Sequence, residues 1–92
     1  MSTPIRFPLG RIVATPAALD LLARHHRAPL EFIARHAHAD WGQLEREDVR
    51  ANESALRHGE RLLSPYTVGD ETLWLITEAD RSVTTLLTPG DY

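Results

Sequence analysis

Five histidines, His25, His26, His36, His38 and His58, are the side chains best able to hold a metal or move a proton near neutral pH. Their spacing argues against a metal centre. His36 and His38 stand two apart, which on a helix places them on different sides, whereas helical metal pairs sit at i, i+4. His25 and His26 are adjacent and also diverge, and no neighbouring carboxylate completes a ligand spacing. The chain has no cysteine, which removes thiolate ligands, a thiol nucleophile and disulfides. We therefore expect no metal and no cofactor, with the histidines solvated or partly packed.

The second constellation is the polar turn ThrGluAlaAspArgSer, which carries Glu78, Asp80 and Arg81. Two carboxylates beside an arginine suit acid–base chemistry or an anion clamp. A small enzyme using these groups, with His58 or His36, is accordingly one alternative. Asp and Ser also simply make good turns. Loops on rigid hairpins often carry recognition, and we read this one as part of a partner-binding surface. A glycine-rich phosphate loop and a nucleophile elbow are both missing, so we expect no catalytic residues.

The elements that position this turn read as strands. Residues 61–88 form three strand-like runs separated by Gly69-Asp70 and by Ala79-Asp80-Arg81. In the central run, Leu73 and Leu75 share one side, and Trp74 and Ile76 the other, so both faces are apolar. Such a strand wants cover on both sides, and one layer of helices covers one. Pro65 cannot donate to a ladder and puts residues 61–68 at an edge or a bulge. We expect Leu62, Tyr66, Val68, Leu73, Leu75, Val83 and Leu87 on one face. Leu63, Thr67, Trp74, Ile76 and Leu86 go to the other, subject to register. A patch carrying Trp74, Ile76, Leu63 and Leu86 would be large enough to mark an interaction site. Trp74 is its best anchor, since tryptophan dominates binding hot spots.

Upstream, residues 1–10 read as an extended arm with Pro4, Pro8 and Gly10, and residues 11–14 as a short strand. Thr15-Pro16 and Ala28-Pro29 each open a helix. The first has an inward stripe of Leu19, Leu22 and Ala23, followed by His26. The second has Leu30, Ile33, Ala34, Ala37 and Trp41, with Phe32 off the stripe and Gly42 as its stop. A third helix over residues 47–58 stops at Gly59. Its stripe of Val49, Asn52, Ala55 and Leu56 makes Asn52 a candidate buried polar group with a definite partner. The expected fold is α+β in two layers: a short N-terminal strand, three helices, then a three-stranded antiparallel meander.

At 92 residues the chain has room for one core, so we expect a single small domain. Its 42% apolar and 25% charged residues are those of a globular protein. A net charge of −3 argues against nucleic acid as a partner, despite the basic knot of Arg24, His25, His26 and Arg27. No stretch is apolar enough to cross a membrane or serve as a signal peptide, and we expect a cytoplasmic protein.

Several strings in the chain are also distinctive. They are LeuGlyArgIleValAlaThrPro at 9–16, GluPheIleAlaArgHis at 31–36, AspTrpGly at 40–42, and LeuTrpLeuIleThrGluAlaAspArgSerValThrThrLeuLeu at 73–87, with AspTyr at the C-terminus. On these, and above all on the TrpLeuIleThrGluAlaAspArgSer string, the chain resembles a family of short bacterial mobile-element proteins often labelled plasmid-related. Members are sometimes labelled as a modification subunit of type I restriction systems. A methyltransferase needs a far longer cofactor-binding domain, and neither its glycine-rich loop nor its AsnProProTyr-type motif is present. The resemblance implies a mobile-element accessory protein that works near defence or counter-defence genes. The function we expect is a non-catalytic protein-binding module, an inhibitor of a host defence complex of the anti-restriction or anti-CRISPR type. It would dock through Leu63, Trp74, Ile76 and the turn with Glu78, Asp80 and Arg81. A homodimer using the same face is the alternative among binding proteins.

Overall fold

The computed structural model describes residues 4–92, so the first part of the expected arm lies outside the described residues. The chain folds as α+β, with three helices and an open, mixed four-stranded sheet. Strands β1 (Arg11–Ala14), β2 (Leu62–Val68), β3 (Glu71–Thr77) and β4 (Val83–Leu87) lie in the order β1-β4-β3-β2. The last three run antiparallel in chain order, while β1 joins parallel to β4. The expected meander is thus extended by the N-terminal strand into one mixed sheet.

Edge chemistry explains why β1 goes to β4. The outer edge of β2 is already occupied. The Gln43 N–H donates to the Pro65 carbonyl at 2.7 Å. The Asn52 amide donates to Leu63 O at 2.6 Å and accepts from Leu63 N at 3.3 Å, as a neighbouring strand would. Asn52 is the buried polar residue of α3 (Arg46–His58), and this edge is its definite partner. The free edge of β4 remains, and β1 takes it.

Thr15 caps α1 (Pro16–Arg24) by accepting the Ala18 N–H at 3.1 Å, and Pro29 starts α2 (Pro29–Ala37). The inward faces of both helices differ from the expected ones. In α1 the buried residues are Ala18, Leu21 and Leu22, while Leu19 is 48% exposed and His26 leaves the helix with φ 54°. In α2 they are Phe32, His36 and Ala37, while Leu30 is 70% exposed. Both helices are short and apolar over a wide arc, so two stripes satisfy the same periodicity; the sheet selects the one that brings Phe32 onto Tyr66. Helix α2 also ends before Trp41, and Gly42 serves a close approach instead. A Cβ there would collide with the Pro65 carbonyl, and its φ is 71°.

Helices α1 and α2 pack on one face of the sheet. Leu21, Leu22 and Phe32 meet Tyr66, Val68, Leu73, Leu75 and Leu86 in the main core. Full burial of each leucine contributes about 2 kcal/mol of transfer free energy. A second cluster joins Phe7 of the arm, Trp41, Ala55 of α3 and Leu62 at the start of β2. Leu86, expected on the far face, is wholly buried in the main core; Leu87 takes the far-face position. Residues 78–82 connect β3 to β4 and pair Leu75 with Leu86 and Trp74 with Leu87, which sets that parity.

Candidate functional site

The sheet face away from α1 and α2 carries Leu63 and Pro65 from β2, Trp74 and Ile76 from β3, Thr85 and Leu87 from β4, and Val13 from β1. Cross-strand pairing places them side by side: Pro65–Trp74–Leu87 in one row, Leu63–Ile76–Thr85–Val13 in the next. Ile76 and Leu87 are buried as the floor, while Leu63, Pro65, Trp74, Thr85 and Val13 are half-buried. The core side chains of α1, α2 and α3 meet the other face, at Leu62, Tyr66, Val68, Leu73, Leu75 and Leu86. Partial cover of the open face comes from the C-terminal 3₁₀ turn (Pro89–Asp91), which brings the Tyr92 ring edge-on to Trp74 at 5.7 Å while Tyr92 stays 74% exposed.

The expected site residues separate into two groups. Leu63, Trp74 and Ile76 share the open face, and Glu78 stands at its rim. The Glu78 carboxylate accepts from Arg61 at 3.1 Å, and Arg61 donates to the Tyr92 hydroxyl at 3.1 Å, next to Trp74. Asp80 stays in the turn, accepting from Ser82 N at 3.0 Å and Ser82 Oγ at 2.6 Å, which hold its carboxyl below the usual range. Arg81 turns away, with φ 60°. Its guanidinium donates to Glu60 O at 2.6 Å and Ala55 O at 3.3 Å at the end of α3, and lies 5.8 Å from the Phe7 ring. The trio converges on no common point. Arg61, Pro65, Thr85, Leu87 and Tyr92 were not among the expected site residues. Strand alternation could have offered all but Tyr92, whose place depends on the 3₁₀ turn.

The largest polar feature is buried. His36 Nδ1 meets Ser64 Oγ at 2.5 Å, and its Nε2 meets Thr77 Oγ1 at 2.9 Å. Thr77 bonds Thr84 at 2.7 Å, and Thr84 donates to Leu9 O at 2.7 Å. All four side chains are inaccessible to solvent. The carbonyl at the end can only accept, so the proton order along the chain follows. Thr84 gives its proton to Leu9, Thr77 gives its own to Thr84, His36 donates from Nε2, and Ser64 donates to Nδ1. Burial, with the nearby charge of Arg81, pushes the imidazole down to about 4, keeping it neutral. A serine facing a neutral imidazole has the shape of an activated nucleophile. Closed off from solvent, this one ties α2, the three antiparallel strands and the arm together. His38 and His58 make local contacts, donating to Ala34 O at 2.7 Å and Ser54 O at 2.8 Å.

A cleft of about 390 Å³ lies elsewhere, lined by Ala17, Asp20, Arg24, Glu71, Thr72, Thr88, Pro89 and Gly90. None of Glu78, Asp80, Arg81, His36 or His58 reaches it. Among the described residues, no helix is long and apolar enough to cross a membrane. The chain matches no protein-family model, no curated protein and no solved structure.

Proposed function

We propose that this chain is a small non-catalytic protein-binding module that docks a protein partner on the open face of its sheet. The observation that carries this reading is the half-buried Trp74, set between Pro65 and Leu87 on the sheet face away from α1 and α2. A contiguous apolar patch on a small protein marks an interaction surface, and a tryptophan over a packed floor supplies the area of a hot spot. Glu78, Arg61 and Tyr92 give it a polar rim, the usual setting for such an anchor. Dispersal of Glu78, Asp80 and Arg81 weighs against an enzyme built on them.

The resemblance to mobile-element proteins supplies the setting. The partner would be a subunit of a host defence complex, and docking would inhibit it. The test is the plating of unmodified phage on cells carrying a type I restriction system, or a CRISPR system, with and without this protein. Inhibition predicts restored plating, lost with Trp74→Ala and with Thr85→Glu while both variants keep the parent's circular dichroism spectrum and stay folded at the assay temperature. Unchanged plating against both systems would remove the inhibitor reading. Normal inhibition by both variants would move docking off this face.

A second copy is the other occupant to test, because β1 has a neighbour on one side only while the edge of β2 is blocked. Sedimentation at high concentration decides it: a particle of twice the 10.4 kDa chain mass supports self-association, and a monomer removes it.

A further inference from the structure

The end of α1 and the β2–β3 turn meet at a cluster that sequence spacing does not reveal. His25, the residue that closes α1, lies against Asp70 and Glu71, and one ligand atom from each lies within 4.8 Å of the others. His25 Nε2 is buried at the atom level and makes no hydrogen bond of ordinary length; it faces Glu71 Oε2 at 3.5 Å, at the far edge of contact, from a side chain that is 28% exposed. An unsatisfied buried ring nitrogen costs free energy, and a native structure that keeps one needs a reason for it. The turn is cut to admit the ring, since a Cβ at Gly69 would collide with it.

We propose that His25, Asp70 and Glu71 bind one Zn²⁺ ion. Three lines of chemistry converge. Ligand bonds of about 2.1 Å to nitrogen and oxygen give a tetrahedron with edges of about 3.4 Å, and the His25–Glu71 separation of 3.5 Å is already such an edge. An imidazole with two carboxylates suits zinc, where an all-oxygen set would suit calcium or magnesium. The local charge favours a dication. Arg24 is shared between Asp20 at 2.8 Å and Glu71 at 2.7 Å, leaving three carboxylates against one guanidinium around the His25 ring. Arg24 need not be displaced. A carboxylate oxygen has two lone pairs, so Glu71 Oε2 can accept from Arg24 and still ligate, with Arg24 orienting the ligand from outside. Asp70 is exposed in the turn and Glu71 is exposed at the start of β3, so the remaining adjustment is a side-chain rotation. Three protein ligands leave the fourth position to water.

The experiment is a calorimetric titration of the purified, chelator-treated protein with ZnCl₂, paired with Co²⁺ absorption as a report on coordination geometry. We expect one ion per chain and a tetrahedral cobalt spectrum. His25→Ala and Asp70→Asn should each weaken binding at least ~10-fold, while His26→Ala, next door and exposed, should leave it unchanged. Zinc should also raise the melting temperature of the parent and of His26→Ala, but not of His25→Ala. Asp70 sits in an exposed turn, so its variant keeps the test valid if the His25 variant unfolds. Equal binding by all variants, or a stoichiometry other than one, would show adventitious binding to surface histidines and overturn the proposal. A failed inhibition assay would leave this result untouched, since Trp74 lies on the opposite face of β3 from the helices.

Discussion

Removing the imidazole of His36 leaves Ser64 without its acceptor and Thr77 without its donor, both inside a dry core. His36→Ala should therefore destabilise by about 3 kcal/mol or more, combining a cavity with orphaned hydroxyls, as read from urea denaturation. The same residue sets a pH dependence with a definite sign. Its pKa is about 4 when folded and near 6.5 when unfolded, so between these values the unfolded chain binds the extra proton. Stability is full above pH 6.5 and falls as pH drops toward 4. At pH 5 the loss relative to pH 7 should be about 2 kcal/mol, and His36→Gln should flatten that slope. A profile with no change between pH 7 and pH 5 would contradict a buried neutral imidazole. Nothing local in the sequence marks His36 for this role. Its partners come from residues 64 and 77, and only the packing of α2 on the sheet brings them together.

At the scale of elements, two side chains substitute for backbone partners. Asn52 pairs with both backbone groups of Leu63 as a strand would, which closes the β2 edge. Asn52→Ala should cost about 2 kcal/mol and open that edge, seen as concentration-dependent association in light scattering. Arg81 plays the matching part for α3, donating to carbonyls at its C-terminal end from a left-handed backbone conformation. Arg81→Ala should cost about 2 kcal/mol in thermal or urea unfolding. Arg81→Gly should lose the same hydrogen bonds yet recover about 1 kcal/mol, since glycine adopts positive φ without strain. Equal losses for the two variants would mean that the backbone stores no strain there. The polar turn that suggested acid–base chemistry thus spends its arginine on holding α3 against the hairpin.

For the molecule as a whole, the two faces of β3 should respond differently to truncation. Leu75 is wholly buried under the helices, and Leu75→Ala should cost about 3–5 kcal/mol. Trp74, half-buried on the open face and touched by Tyr92, should tolerate Trp74→Ala with a loss of about 1 kcal/mol and an unchanged fold by circular dichroism. If the two losses proved equal, Trp74 would be a core residue and the docking face would lose its anchor.

Composition, capping residues and strand alternation were enough, from the sequence alone, to place three helices and the strands, to put Pro65 at an edge or a bulge, and to mark the stop at Gly59 and the two-sided character of β3. Each of these depends on neighbours a few residues away, where spacing is itself the physics. Tertiary structure decided the rest. It chose which arc of α1 and α2 faces inward, moved Leu86 into the core and Leu87 out, and laid β1 beside β4. It also turned Arg81 toward α3, aligned the chain from Ser64 to Leu9, and brought His25 against Asp70 and Glu71. These contacts join residues tens of positions apart. Their free energies depend on which surfaces remain uncovered once the sheet has formed, a property that no local pattern encodes.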